Sequence, residues 1–227
     1  MSKLIHGKYS IYVFLLAALV LLHIPLISVP FKWLESFFHE ISHGLAAVVT
    51  GGSVVNIELY PNGAGLCKTI GGSRFVVSFM GYSGAIIFGV LLSIVSHMGL
   101  NAAKVVRLVL ITIVSISIVL WVRDLLTLLI LLSIVALLVL SFKLQGSWLD
   151  HGLIKLIGLT VLLNSMLSPL YLIDNRAVGD GEALANLTML PEIVWIASWF
   201  LLSLLGLYVV IKTCITSTQK DTKVSDL

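Results

Sequence analysis

Residues 105–142 are almost wholly apolar, and the charged pair Arg123-Asp124 breaks the run near its middle. About 20 such residues cross a bilayer as a helix, so the run is too long for one span. Two helices joined by a tight turn at Arg123-Asp124 fit best. The pair reads either as a charged turn at the membrane surface or as a buried ion pair facing a functional site. Further apolar runs occupy 11–29, 31–50, 75–98, 152–173 and 190–212. The expected fold is therefore an all-α polytopic membrane protein of about seven spans, within a range of six to eight.

Composition agrees. Only 11% of the residues are charged and 59% are hydrophobic, where a soluble domain carries roughly a quarter charged. The formal charge of +3 is small and scattered, which gives no nucleic-acid signal. The partner implied is the lipid bilayer, and the chain reads as integral and multi-pass, in the plasma or inner membrane if bacterial. Lysine and arginine fall on both sides of any such arrangement, so orientation stays open. Lys3 and Lys8 precede the first run, which is long and followed by no small-residue cleavage site. We read it as a retained helix ended by Pro25 and Pro30, with Pro30 opening the next.

The second run carries Phe38-His39-Glu40-Ile41-Ser42-His43-Gly44. On a helix, His39 and His43 project from one face. Two imidazoles so placed can hold one metal ion, with Glu40 in reach of a metal-bound water. With six histidines and five glutamates in the chain, chance matches to this pattern number about 0.003. Histidine and glutamate inside an apolar helix are also costly without partners or function. Glu35 lies one turn before His39, either orienting an imidazole or simply facing solvent. Gly51-Gly52 ends this helix.

Residues 53–70 break the helical pattern. Val54–Tyr60 alternates as a strand does, Pro61-Asn62-Gly63-Ala64-Gly65 is a turn, and Leu66–Ile70 is a returning strand. A short β-hairpin is expected directly after the metal-motif helix, bordering its site. In the next run Gly81, Gly84, Ala85 and Gly89 offer close helix packing, which we prefer over a direct catalytic role.

A catalytic metal of this type needs a third protein ligand and an open position. His6, His23, His97 and His151 fall in tails, span ends or loops. The acids Asp174, Asp180 and Glu182 share one polar stretch between the last two spans. Asp180 also stands at a helix start, where plain capping accounts for an acid. Cys67 and Cys214 have no metal-type spacing.

In this order, His39-Glu40-Ile41-Ser42-His43-Gly44, Gly51-Gly52 with the strand and its turn, Gly81-Tyr82-Ser83-Gly84 and Asp180-Gly181-Glu182-Ala183-Leu184 resemble the site-2 protease family of intramembrane zinc metalloproteases. The likeness is to its compact branch without regulatory domains. It implies Zn2+ as cofactor, Asp180 as third ligand beside His39 and His43, Glu40 as general base, and transmembrane proteins as substrates. The family places an Asn and a Pro shortly before that aspartate. Here Asn164 and Pro169 are more distant and Asn175 lacks a following Pro, so Asp174 remains the alternative ligand. Asn164 is a candidate to stabilise the oxyanion. The expected organisation is one membrane metalloprotease domain over 1–212 and a disordered polar tail over 213–227. Two other classes share the pattern, an inactive membrane scaffold and a metal transporter. The transporter would want more acids or histidines along several spans than this chain offers.

Overall fold

The computed structural model describes residues 10–96, 100–144, 148–173 and 178–225. Among them, helix α1 (Ser10–Leu22) and helix α2 (Pro25–Val49) precede strands β1 (Ser53–Leu59) and β2 (Gly65–Ile70). Helices α3 (Arg74–Val95), α4 (Leu100–Trp121), α5 (Leu125–Leu140) and α6 (Trp148–Leu167) follow. A 3-10 turn at Ser168–Leu172 leads towards α7 (Asp180–Thr188) and α8 (Glu192–Ser225).

Among the described residues, five helices are long and apolar enough to span a membrane, α3, α4, α5, α6 and α8, and α1 with α2 forms a sixth candidate bent by 104°. The expected count of seven treats α1 and α2 as separate spans. The 13 described residues of α1 make only about 20 Å of helix at 1.5 Å per residue, short of a ~30 Å hydrocarbon core. The break also falls earlier than expected. Pro25, not Pro30, opens α2, and Pro30 lies inside that helix. A proline lacks only an N–H that the first turn does not use, so Pro25 starts a helix without loss. At the other end, α8 runs past residue 212, where the sequence reading drew the domain boundary, to Ser225.

Arg123 and Asp124 cap two helices. Arg123 donates to Val122 O and Leu120 O at the end of α4, while Asp124 Oδ1 accepts from the Thr127 amide at 2.8 Å, at the start of α5. Cations suit helix C-termini and acids suit N-caps. The pair is the surface turn, and the ion-pair alternative is set aside. Asp124→Ala is expected to lower stability by about 1 kcal/mol while leaving metal binding and cleavage unchanged, checked by thermal melting beside an activity assay. Arg107, which the sequence reading passed over, is fully buried in α4. Its Nη1 donates to Ser141 O at 2.9 Å, and the guanidinium lies 4.5 Å from the Phe142 ring centre.

The small residues of α3 do pack. A methyl group at Gly89 would lie 2.7 Å from Leu162 N of α6, and one at Gly158 of α6 would lie 2.5 Å from Ser93 N. These contacts bring α3 and α6 to backbone distance. On its other side α3 meets α2, where Gly84 sits directly on Ser42.

The hairpin forms as expected. β1 and β2 pair antiparallel from Ser53↔Ile70 to Leu59↔Gly65, with an irregularity between Val54 and Asn56. Tyr60 N bonds Ala64 O at 2.9 Å and Asn62 Oδ1 accepts from Ala64 N at 3.1 Å, closing the turn, while Gly63 supplies a φ of +86°. Ile57 and Leu59 are buried, and Leu59 N donates to Thr127 Oγ1 of α5 at 2.8 Å. On the outer face Glu58 accepts from Lys68 at 2.9 Å, and from Tyr60 and Asn56. Lys68 leads in holding its carboxyl down to about 2, so this brace is charged across the physiological range.

Candidate metal centre

One helix supplies half of the site. His39 and His43 stand four apart on α2, and their Nε2 atoms approach to 2.9 Å. Asp180, the first residue of α7, comes from 137 positions beyond His43 by sequence number, and its Oδ2 lies 3.0 Å from His39 Nε2 and 3.2 Å from His43 Nε2. Among the described residues, these three form the one group of three or more His, Cys, Asp or Glu whose ligand atoms all lie within 4.8 Å of one another.

The surroundings orient the donors. His43 Nδ1 is 2.7 Å from Val77 O of α3. Only an N–H faces a carbonyl productively, so His43 presents a lone pair from Nε2. The His39 ring meets Tyr82 edge-on at 4.4 Å, and Tyr82 leans on Trp199 at 4.7 Å, whose indole N–H donates to Phe79 O at 3.2 Å. Helices α3 and α8 thus hold the ring by packing. Asp180 does not accept from its own helix start. The N-cap position belongs to Gly179, which has no side chain and takes a φ of +104°. Capping therefore does not account for Asp180.

Two imidazole nitrogens and one carboxylate oxygen converging at about 3 Å bring lone pairs together, which a cation stabilises. The donor set suits zinc, with three protein ligands and room for a fourth. Room exists, since a cavity of about 910 Å3 reaches these residues together with Glu40, Tyr82 and Asn164.

Two glycines shape the walls. A methyl group at Gly81 would lie 2.5 Å from His43 Nε2 and 2.7 Å from His39 Nε2, and one at Gly65 would lie 2.5 Å from Glu40 Oε1. Glu40 is buried, and the Cys67 backbone amide donates to its carboxylate. Leu59 and Gly65 face each other, as do Ile57 and Cys67, in the pairs that do not exchange hydrogen bonds. Outward amides from such pairs account for Leu59 reaching Thr127 and Cys67 reaching Glu40. The strand bordering the cavity is accordingly β2, through Gly65, Leu66 and Cys67. The hairpin was expected to border the site, and it does so through its turn and second strand. The Cys67 thiol is no nucleophile at neutral pH, because burial pushes it up to about 12.

Other candidates sit elsewhere. His23, in the turn after α1, is exposed and bonds Leu19 O of that helix, and Glu182 accepts from Asn186 along α7. Asp174, Asn175, His6, His97 and the side chain of His151 lie outside the described residues. Glu35 matches neither expectation. It is 4% exposed and bonds no imidazole, accepting instead from Asn164, Ser165 and Ser168. Sequence reasoning missed Gly65, Tyr82 and Val77 at the site and read Gly81 as packing alone. The available signal was Gly81-Tyr82, about two turns into the helix that follows the hairpin.

These features define a polytopic helical membrane protein in which two histidines and an aspartate are grouped as metal ligands would be. The family model described as Peptidase M50B-like matches residues 12–210, and the chain belongs to that family, in agreement with the site-2 protease resemblance. Comparison with curated proteins and with solved structures finds no match.

Proposed function

We propose that this chain is an intramembrane zinc endopeptidase that hydrolyses peptide bonds of transmembrane protein substrates. The observation that carries the reading is the meeting of His39, His43 and Asp180 beside a buried Glu40 in a membrane family of peptidases. His39 Nε2, His43 Nε2 and an Asp180 oxygen would hold the ion. Zinc at such a site lowers the pKa of a bound water and polarises a carbonyl. Glu40 takes the proton of the attacking water and returns it to the leaving amine. Val77 O keeps the proton of His43 on Nδ1, which leaves Nε2 free to coordinate. Asn164 lines the same cavity and carries a second amide N–H beyond the one given to Glu35, a donor of the kind that stabilises an oxyanion.

A substrate helix shields its peptide bonds by its own hydrogen bonds, so it must unwind before attack. The outward edge of β2 offers main-chain partners to an extended segment beside Glu40. A substrate carrying proline beside the scissile bond, which cannot pair with a strand edge, is expected to show a kcat/KM about tenfold lower with zinc still bound; equal cleavage excludes pairing at this strand.

The direct test uses the purified full chain in detergent. Bound zinc is quantified and cleavage of a single-span membrane protein is followed. Chelation should abolish cleavage and added zinc should restore it. Zinc binding with no cleavage of any membrane substrate would favour a scaffold. Zinc flux across proteoliposomes would favour a transporter.

A further inference from the structure

We propose that Glu35 is a positioning residue that fastens the Asp180-bearing arm to the motif helix and so sets the strength of metal binding. This rests on the zinc reading above. Glu35 stands one turn before His39 on α2 and is 4% exposed. Its Oε2 accepts from Asn164 Nδ2 at 2.9 Å, and its Oε1 accepts from Ser168 Oγ at 3.2 Å and Ser165 Oγ at 3.5 Å. Among the described residues no cation lies within salt-bridge distance of it.

A buried carboxylate without a cation is a costly way to join two helices, and an apolar contact would do that better. What a carboxylate adds is several strong acceptor positions at one point, with no donor of its own to satisfy. Here all three donors sit where α6 ends and the arm begins. Ser168 opens the turn Ser168–Leu172, and the Leu172 side chain lies against Gly179, where an added methyl would be 2.9 Å from its Cδ2. Gly179 is the neighbour of Asp180. A short mechanical path thus runs from Glu35 through Ser168 and Leu172 to the third ligand. Both halves of the donor set, two imidazoles from α2 and one carboxylate from the arm, are tied to the same helix four residues apart.

Residues that orient metal ligands from behind typically change metal affinity by about 10–100-fold when altered. The test measures zinc affinity of the full chain in detergent by competition with a chromogenic chelator, alongside thermal melting of the metal-free protein. Glu35→Leu should weaken zinc about 10–100-fold. Glu35→Gln, whose carbonyl oxygen still accepts, should recover most of that loss. Ser168→Ala, which leaves α2 untouched, should weaken zinc in the same direction by a smaller factor. A wild type that binds no zinc sinks the metal reading and this proposal together. A wild type that binds, with Glu35→Leu equal to it in affinity, overturns the proposal alone, even where the metal-free variant melts lower. Should Glu35→Leu fail to fold, Ser168→Ala decides, and wild-type affinity in that variant overturns the proposal.

Discussion

Glu40→Gln is expected to keep its zinc and to lose cleavage by about 100- to 10,000-fold, the usual worth of a positioned general base. Glu40 stands outside the three-residue donor group, so metal content should not follow its charge. Glutamine has nearly the same shape, and its carbonyl oxygen can still accept from the Cys67 amide. Gly65 remains close against it, so no cavity opens. What disappears is an acceptor for the proton of water. The check is zinc content by atomic absorption together with turnover of a membrane substrate. Equal turnover in the variant would remove Glu40 from the chemistry.

Gly81→Ala should have the largest effect on the metal itself, a loss of zinc affinity of at least about 100-fold. The added methyl lands 2.5 Å from His43 Nε2 and 2.7 Å from His39 Nε2, inside any normal contact distance. Helix α3 cannot back away cheaply, because Gly84 rests on Ser42 on the α2 side and Gly89 on the Leu162 backbone on the α6 side. The imidazoles must swing instead, which separates the two Nε2 atoms. Chelator competition measures the affinity, and the melting temperature of the metal-free variant separates it from misfolding. A variant that binds zinc as the wild type does would show that α3 yields.

How much of this could be read from the sequence depends on the range of the interaction. His39, Glu40 and His43 are one turn of one helix, so their spacing carried the site. The hairpin was legible because alternation and a Pro-Asn-Gly turn are local. Asp180 needed the family resemblance, since no spacing joins it to His43. Glu35 shows the limit most plainly. Its face on α2 followed from its position one turn before His39, but its partners lie 129 to 133 residues away. Hydropathy could not tell solvent from a polar cluster on the opposing helix. Gly81 was visible as a small residue, and whether its open side met a helix or a pair of ligands was a matter of tertiary placement. The central count of seven spans is not confirmed, six being the lower end of the expected range, because the break at Pro25 leaves α1 shorter than its apolar run.

The bend between α1 and α2 has a mechanical consequence in the lipid. The two helices make one candidate span only as a broken one, turned through 104°. A bilayer whose thickness does not match a span makes it tilt or kink. A straight helix answers by tilting, whereas a span already broken at Pro25 answers by opening or closing its bend. Acyl-chain length becomes a physical variable that acts on that bend, only a few turns from His39.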